Sequence, residues 1–249
     1  MTELVVVTDL DGTLLDHHSY CWDDARPALV ALAAKHIPVV LNSSKTRAEM
    51  RPLRAQLALD APFISENGAI IDWGDGSSRC FAKPRQQLLA VLAELRQQGF
   101  KFSGFADWSV EDIAQQTGLS LAQAKLAADR EFTEPLCWQG SAGEQQAFLQ
   151  ALAKWQLQAQ QGGRFLTVMG QYSKGQAMAA VRQHYPGAHI IALGDSANDL
   201  SMLNGADTAV VVASANSDSL TPTTPTIRTQ QPGPAGWNRA ILDWLTSRS

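Results

Sequence analysis

Residues 8–16 read TDLDGTLLD, with three carboxylic acids in nine positions directly behind the apolar run Leu4 to Val7. Two further runs change from apolar to reactive in the same way. VVLNSS leads into Ser43 and Ser44, and IIALGDSAND into Asp195 and Asp199. In an open parallel sheet, ligands bind outside the carboxyl ends of the strands, so these separate stretches are expected to meet at one rim. Asp9, Asp11, Asp195 and Asp199 then surround a small volume and repel one another unless a cation lies among them. A divalent metal answers that repulsion. Magnesium is the natural candidate, because it takes oxygen ligands and is often held by one or two carboxylates together with a substrate phosphate. No cluster of His or Cys offers a zinc site.

A phosphate also needs donors. Ser43 supplies a hydroxyl, the turn at Gly12 and Thr13 exposes backbone N–H groups, and Lys174 opens a helix whose positive dipole end favours an anion. The chemistry expected of this set is in-line phosphoryl transfer, which is dominated by positioning and charge stabilisation. No GxSxG elbow and no GxxxxGK[ST] loop is present, so neither a serine hydrolase nor a Walker phosphate site is expected.

To bring these residues together the chain must form an alternating β and α body. The clearest strands are Leu4 to Val7, Ile37 to Leu41, His189 to Leu193 and Thr208 to Ala213, nearly continuous apolar runs that suit strands covered on both faces. Pro27 to His36 reads as a crossover helix with proline near its start. From about Pro84 the texture changes. Helical patterns at Gln87 to Gly99, SVEDIAQQTG, GEQQAFLQALAKW and strand-like KFSGF, REFTEPLCW and GGRFLTVMG are the ingredients of an antiparallel sheet with helices. The glutamines of QLQAQQGGR read as a solvated strand end or turn, and Glu66 and Asn67 in SENGA as a turn, since Asn and Gly suit positive φ. The expected fold class is α/β, with a Rossmann-like parallel-sheet core (1–83 and 169–249) and an inserted α+β domain (84–168). A chain of 249 residues is long enough for two such parts.

The bulk composition excludes other classes. With 20 Lys plus Arg against 24 Asp plus Glu, a net charge of -4 gives no basic footprint for nucleic acid or an anionic membrane. The apolar stretches fall short of the roughly 18 residues of a membrane span, and Glu3 stands where a secretory signal would be basic, so a cytoplasmic protein is expected. The cysteines Cys21, Cys80 and Cys137 match neither a disulfide framework nor a CxxC site and read as reduced thiols. The tryptophans and histidines show no ligand or cage spacing and read as core packing or surface residues.

The order DLDGT, a strand ending in serine, a lysine opening a helix, and GDSAND resembles the motifs of the haloacid dehalogenase superfamily of phosphatases, with an insert of the C2B cap type found in subfamily IIB. That resemblance implies Asp9 as nucleophile, forming an aspartyl phosphate, and Asp11 as the acid that protonates the leaving oxygen and then activates water. It implies Asp9, the Asp11 main-chain carbonyl and Asp195 as Mg2+ ligands, Asp199 acting through the metal's water shell, and Ser43 and Lys174 on the transferring phosphoryl group. NSSKT, ISENGA, REFTEP, GGRFLTVMG and GPAGWN further resemble the family of mannosyl-3-phosphoglycerate phosphatases. This narrower resemblance implies hydrolysis of mannosyl-3-phosphoglycerate to mannosylglycerate and phosphate. Ser44, Lys45, Asn67, Arg130, Glu131, Arg164 and Asn198 lie in these segments or in GDSAND and are the candidate substrate-binding residues. Lys45, Arg130 and Arg164 would offer charge to the glycerate carboxylate, and Glu131 or Glu134 acceptors to sugar hydroxyls. In the lysine motif SKG, Ser173 stands where many relatives carry an acid. The expected partner is a small phosphorylated sugar, with the chain a monomer or homodimer. The same catalytic frame also permits a broader sugar phosphate phosphatase or a phosphomutase. Acids gathered at parallel strand ends also occur in phosphate-accepting signalling domains, which lack the second acid and the inserted domain.

Overall fold

The computed structural model describes residues 3–215 and 217–247. In chain order the first elements are β1 (Leu4–Thr8), α1 (Arg26–Ala34), β2 (Val39–Asn42), α2 (Arg47–Gln56), β3 (Phe63–Ser65), β4 (Ile70–Asp72) and β5 (Ser78–Cys80). There follow α3 (Arg85–Gln97), β6 (Phe102–Gly104), α4 (Val110–Thr117), α5 (Leu121–Ala128), β7 (Glu134–Trp138), α6 (Ala142–Lys154), β8 (Leu157–Gly162) and β9 (Phe165–Gly170). The last are α7 (Lys174–His184), β10 (His189–Gly194), α8 (Leu200–Asn204), β11 (Thr208–Ala213), β12 (Thr226–Pro232) and α9 (Gly233–Thr246). No described helix is long and apolar enough to cross a membrane.

The chain divides into two compact units, Met1–Ser44 with Arg54–Arg79 and Ser173–Ser249, and Lys45–Leu53 with Cys80–Tyr172. The short segment Lys45–Leu53, assigned by sequence to the body, thus groups with the second unit. The first unit carries an eight-stranded sheet in the order β12-β11-β10-β1-β2-β3-β4-β5. From β12 through β3 neighbouring strands are parallel, and β3 with β4 is antiparallel. Val5, Val6 and Val7 in β1 and Ile190, Ile191 and Ala192 in β10 are fully buried, which explains why these strands read as unbroken apolar runs: both faces are covered. The parallel register of β10, β1, β2 and β3 puts their carboxyl ends, and the polar residues following each, along one edge.

The second unit has a four-stranded antiparallel sheet, β6-β7-β9-β8. One face packs Phe102, Leu136, Leu166 and Val168 against Leu88, Leu92 and Leu95 of α3 and Phe148 and Leu152 of α6. Ser109, Ser120 and Ser141 cap α4, α5 and α6, each accepting a hydrogen bond from the backbone N–H three residues on. β8 differs from its reading as a strand end or turn: it is a full strand paired with β9 from Leu157↔Gly170 to Gly162↔Phe165. Within this unit Glu134 is 1% exposed and holds an internal ion pair with Arg85, its other oxygen accepting from the Ala106 N–H at 2.8 Å. Arg85→Met strands that carboxylate and should cost about 2–3 kcal/mol in urea denaturation.

Candidate active site

β1 hands directly into Asp9, whose backbone N–H donates to the Leu193 carbonyl of β10 at 2.9 Å and so continues the ladder one residue beyond the strand. The chain then turns back at once. Thr13 N and Leu15 N both donate to the Leu10 carbonyl, at 3.0 and 2.8 Å, and Gly12 N donates to Leu15 O at 2.9 Å. Gly12 has φ +86°, and a Cβ there would lie 2.8 Å from Asp195 Oδ2. Only glycine lets this turn pass the carboxylate from β10.

Asp9, Asp195 and Asp199 are all buried, and each offers a carboxylate oxygen within 4.8 Å of the others. Lys174, the first residue of α7 and 1% exposed, lies among them, its Nζ 2.5 Å from Asp9 Oδ1 and 2.6 Å from Asp199 Oδ1. Asp199 Oδ2 accepts from the backbone N–H groups of Asp195 and Ser196, both at 3.1 Å. Asp195 Oδ1 accepts from the Thr13 hydroxyl at 3.0 Å, and its carbonyl from the Ser214 hydroxyl at 3.0 Å.

One ammonium does not neutralise three carboxylates. Burial, with the charges of Asp199 and Asp195 beside it, holds the Asp9 carboxyl well above its ordinary range although Lys174 pulls the other way. Burial and the Asp199 charge likewise push Asp195 up to about 6. For Lys174, burial alone would lower the pKa, but the attraction of Asp199 and Asp9 outweighs it and the amine stays protonated. Among the described residues this cluster consists of carboxylates alone, and buried oxygens in excess of the local positive charge are a donor set that fits a hard divalent cation.

A stability consequence follows from the sign of these shifts. Asp195 binds its proton more tightly folded than unfolded, so without metal the fold loses stability as pH rises from about 4 through about 6. A divalent cation takes the deprotonated form. Mg2+ should therefore raise the melting temperature at pH 7.5 and do much less at pH 5. An equal shift at both pH values, or the same shift with K+, would contradict this.

The other sequence-derived candidates divide between the two units. Ser43 is buried directly after β2, with its N–H on the Ile64 carbonyl at 3.0 Å. Asp11 and Ser44 are half-buried in the same unit. Asn67 and Asn198, also there, meet through their side-chain amides at 3.4 Å. Lys45, Arg130, Glu131 and Arg164 belong to the second unit. There Glu131 forms a bidentate pair with Arg47, at 2.7 and 2.6 Å, and Arg130 donates to the Thr133 hydroxyl at 2.6 Å. Arg164 is exposed in the turn between β8 and β9.

Several supporting residues escaped the sequence reading. Ser214 holds the Asp195 carbonyl, and Thr13, read only as a backbone donor, orients the Asp195 carboxylate with its hydroxyl. Trp237 of α9 is fully buried and donates its indole N–H to Thr8 Oγ1 at 3.0 Å, and that hydroxyl donates to the Asp9 carbonyl at 2.7 Å. The GPAGWN segment carried the available signal, because Pro and Gly mark a helix start and a tryptophan there needs a hydrogen-bond partner once buried.

Buried aspartates from β1 and β10 flanking a lysine that opens α7, at the carboxyl edge of a parallel sheet, define a phosphoryl-handling α/β hydrolase. The chain belongs to the haloacid dehalogenase-like hydrolase family, which it matches over residues 6–123 and 142–229. It is 35% identical over 263 aligned positions to the glucosyl-3-phosphoglycerate/mannosyl-3-phosphoglycerate phosphatase of Methanococcoides burtonii, covering 97% of each chain. The enzyme of the same name from Persephonella marina is 32% identical over 259 positions, with 96% of each chain covered. Among solved structures, protein 0175 of Thermoplasma acidophilum shares the fold with a TM-score of 0.75 at 16% identity, over 98% of this chain and 99% of that one.

Proposed function

We propose that this protein is a Mg2+-dependent phosphoric monoester hydrolase that converts mannosyl-3-phosphoglycerate to mannosylglycerate and phosphate, with the glucosyl epimer as a second substrate. The observation that carries the reading is the buried Lys174 held between Asp9 and Asp199 beside Asp195. The near full-length relatives support the substrate class, since both are named for these two phosphoglycerates.

In this reading an Asp9 carboxylate oxygen attacks phosphorus in line, the bond from phosphorus to the ester oxygen breaks, and Asp11 gives its proton to that oxygen. Asp11 then takes a proton from water as the water attacks the aspartyl phosphate, which frees phosphate and restores Asp9. Lys174 and the Ser43 hydroxyl hold the phosphoryl oxygens, and Lys174 also keeps Asp9 oriented. Asp9, Asp195 and the Asp11 carbonyl would hold the metal, with Asp199 behind its water shell, and the bound ion would supply charge neutralisation to the phosphoryl group. The second unit serves as a C2B-type cap, and its Lys45, Arg130 and Arg164 read the glycerate carboxylate while Glu131 reads sugar hydroxyls. Ser44 and Asn198 contact the substrate from the first unit.

The test is phosphate release from mannosyl- and glucosyl-3-phosphoglycerate, sucrose phosphate and hexose phosphates, with Mg2+ and with chelator. Release should be fastest from the two phosphoglycerates and fall to background with chelator. Equal weak rates across the panel would overturn the narrow assignment, and no release from any ester would overturn the enzyme. For the cap, Arg130→Ala and Arg164→Ala should each lower kcat/KM for the glycerate substrate about tenfold or more and leave p-nitrophenyl phosphate hydrolysis unchanged. Unchanged kcat/KM on the glycerate would remove these arginines from recognition.

A further inference from the structure

Between β3 and β4 the chain passes through Glu66, Asn67 and Gly68 with φ of +49°, +60° and +97°. Glycine and, less readily, asparagine enter the left-handed region as single residues, so three successive residues there form a turn that only its surroundings can hold in place. All three are buried. Their neighbours are the segments that carry the site. The Asn67 N–H donates to the Ser43 carbonyl at 2.9 Å. Its side-chain oxygen accepts from the Asn198 amide at 3.4 Å, in the loop between Asp195 and Asp199. At Gly68 a Cβ would lie 2.3 Å from the Ser173 carbonyl oxygen and 2.9 Å from the Lys174 nitrogen, so the backbone of α7 starts directly against it.

We propose that the left-handed turn Glu66–Gly68 is a positioning device that sets Ser43, Lys174 and the Asp195 loop relative to one another, with Asn67 a positioning residue rather than a substrate contact. A right-handed turn of the same residues would withdraw the Asn67 N–H from Ser43, and any side chain at position 68 would drive the start of α7, and Lys174 with it, away. The proposal rests on the phosphatase reading for its activity readout, and has a second readout that does not.

Asn67→Gly separates the alternatives, because glycine keeps the left-handed backbone and the N–H to Ser43 while deleting the contact to Asn198. It should melt within a few degrees of the wild type, yet lose kcat/KM ten- to a hundredfold, with kcat lowered and KM raised. Inorganic phosphate, measured by calorimetry in the presence of Mg2+, should bind it correspondingly more weakly. The double variant Asn67→Gly/Asn198→Ala should lose no more kcat than the worse single variant. Gly68→Ala should show the same losses more strongly, and Asn67→Gly stands as the test if that variant does not fold. An active wild type with an equally active Asn67→Gly that binds phosphate normally would overturn the positioning role alone. A wild type inactive on every ester would overturn the enzyme reading, and weaker phosphate binding by Asn67→Gly would still support the positioning role.

Discussion

Asp9→Asn is expected to lower kcat by about four orders of magnitude or more while leaving the metal-free protein at least as stable as the wild type. The two effects have one origin. The Asp9 carboxylate is the attacking group in the proposed reaction, and an amide oxygen cannot form the acyl phosphate bond. The same carboxylate is buried among like charges, and burial together with Asp199 and Asp195 raises its pKa well above normal. Replacing it by a neutral group removes a repulsion and retains an acceptor for Lys174, now 2.5 Å away. Such a split between lost function and kept stability marks a group held in place for chemistry. Steady-state phosphate release and thermal melts in chelator check it together. Activity within a hundredfold of wild type, or a markedly lower melting temperature, would contradict the assignment.

Lys174→Met should destabilise the protein by about 3–5 kcal/mol at pH 7.5 in chelator and reduce turnover to background. The amine pairs with both Asp9 and Asp199, all three being almost completely buried. Without it, the three carboxylates remain close together and lose the ammonium that pairs with two of them. The pH dependence has a definite sign. The folded-state pKa values of Asp9 and Asp195 are already raised and would rise further, so their cost is absent at low pH and grows as pH climbs through those values. Lys174 itself has a raised pKa, so its contribution in the wild type persists across this range and is lost only at strongly alkaline pH. The stability gap between variant and wild type should therefore narrow at pH 5. Urea denaturation at the two pH values measures it, and a variant as stable as wild type at pH 7.5 would refute the neutralising role.

Much of the acidic strand edge was legible because buried charge constrains residue types tightly. Acids that follow unbroken apolar strands are costly unless a ligand compensates them, so Asp9, Asp195 and Asp199 stood out before any geometry was known. Asn67 and Gly68 were readable as a turn, since both tolerate positive φ. Glu66 was read as part of the same turn, but its own positive φ was not legible, because a glutamate has no local preference for the left-handed region. β8 was under-read for a related reason. Its glutamines carry no strand signal, and pairing with β9 around the Gly163 turn, φ +55°, outweighs that polarity. The pairings of Arg47 with Glu131 and of Trp237 with Thr8 join residues 84 and 229 positions apart, a separation that no local pattern encodes. α2 was hidden by Pro52 inside it, and β12 by an exposed, polar face at the sheet edge.

The stereochemical course at phosphorus tests the Asp9 pathway most directly, and does so whether or not the acyl phosphate accumulates. A phosphoglycerate ester made chiral at phosphorus with sulfur and oxygen isotopes is hydrolysed in isotopically labelled water, and the configuration of the released thiophosphate is read. Attack by Asp9 followed by attack of water makes two inversions, so the account predicts net retention. Net inversion would show that water displaces the sugar-linked glycerate in a single step, and would contradict it.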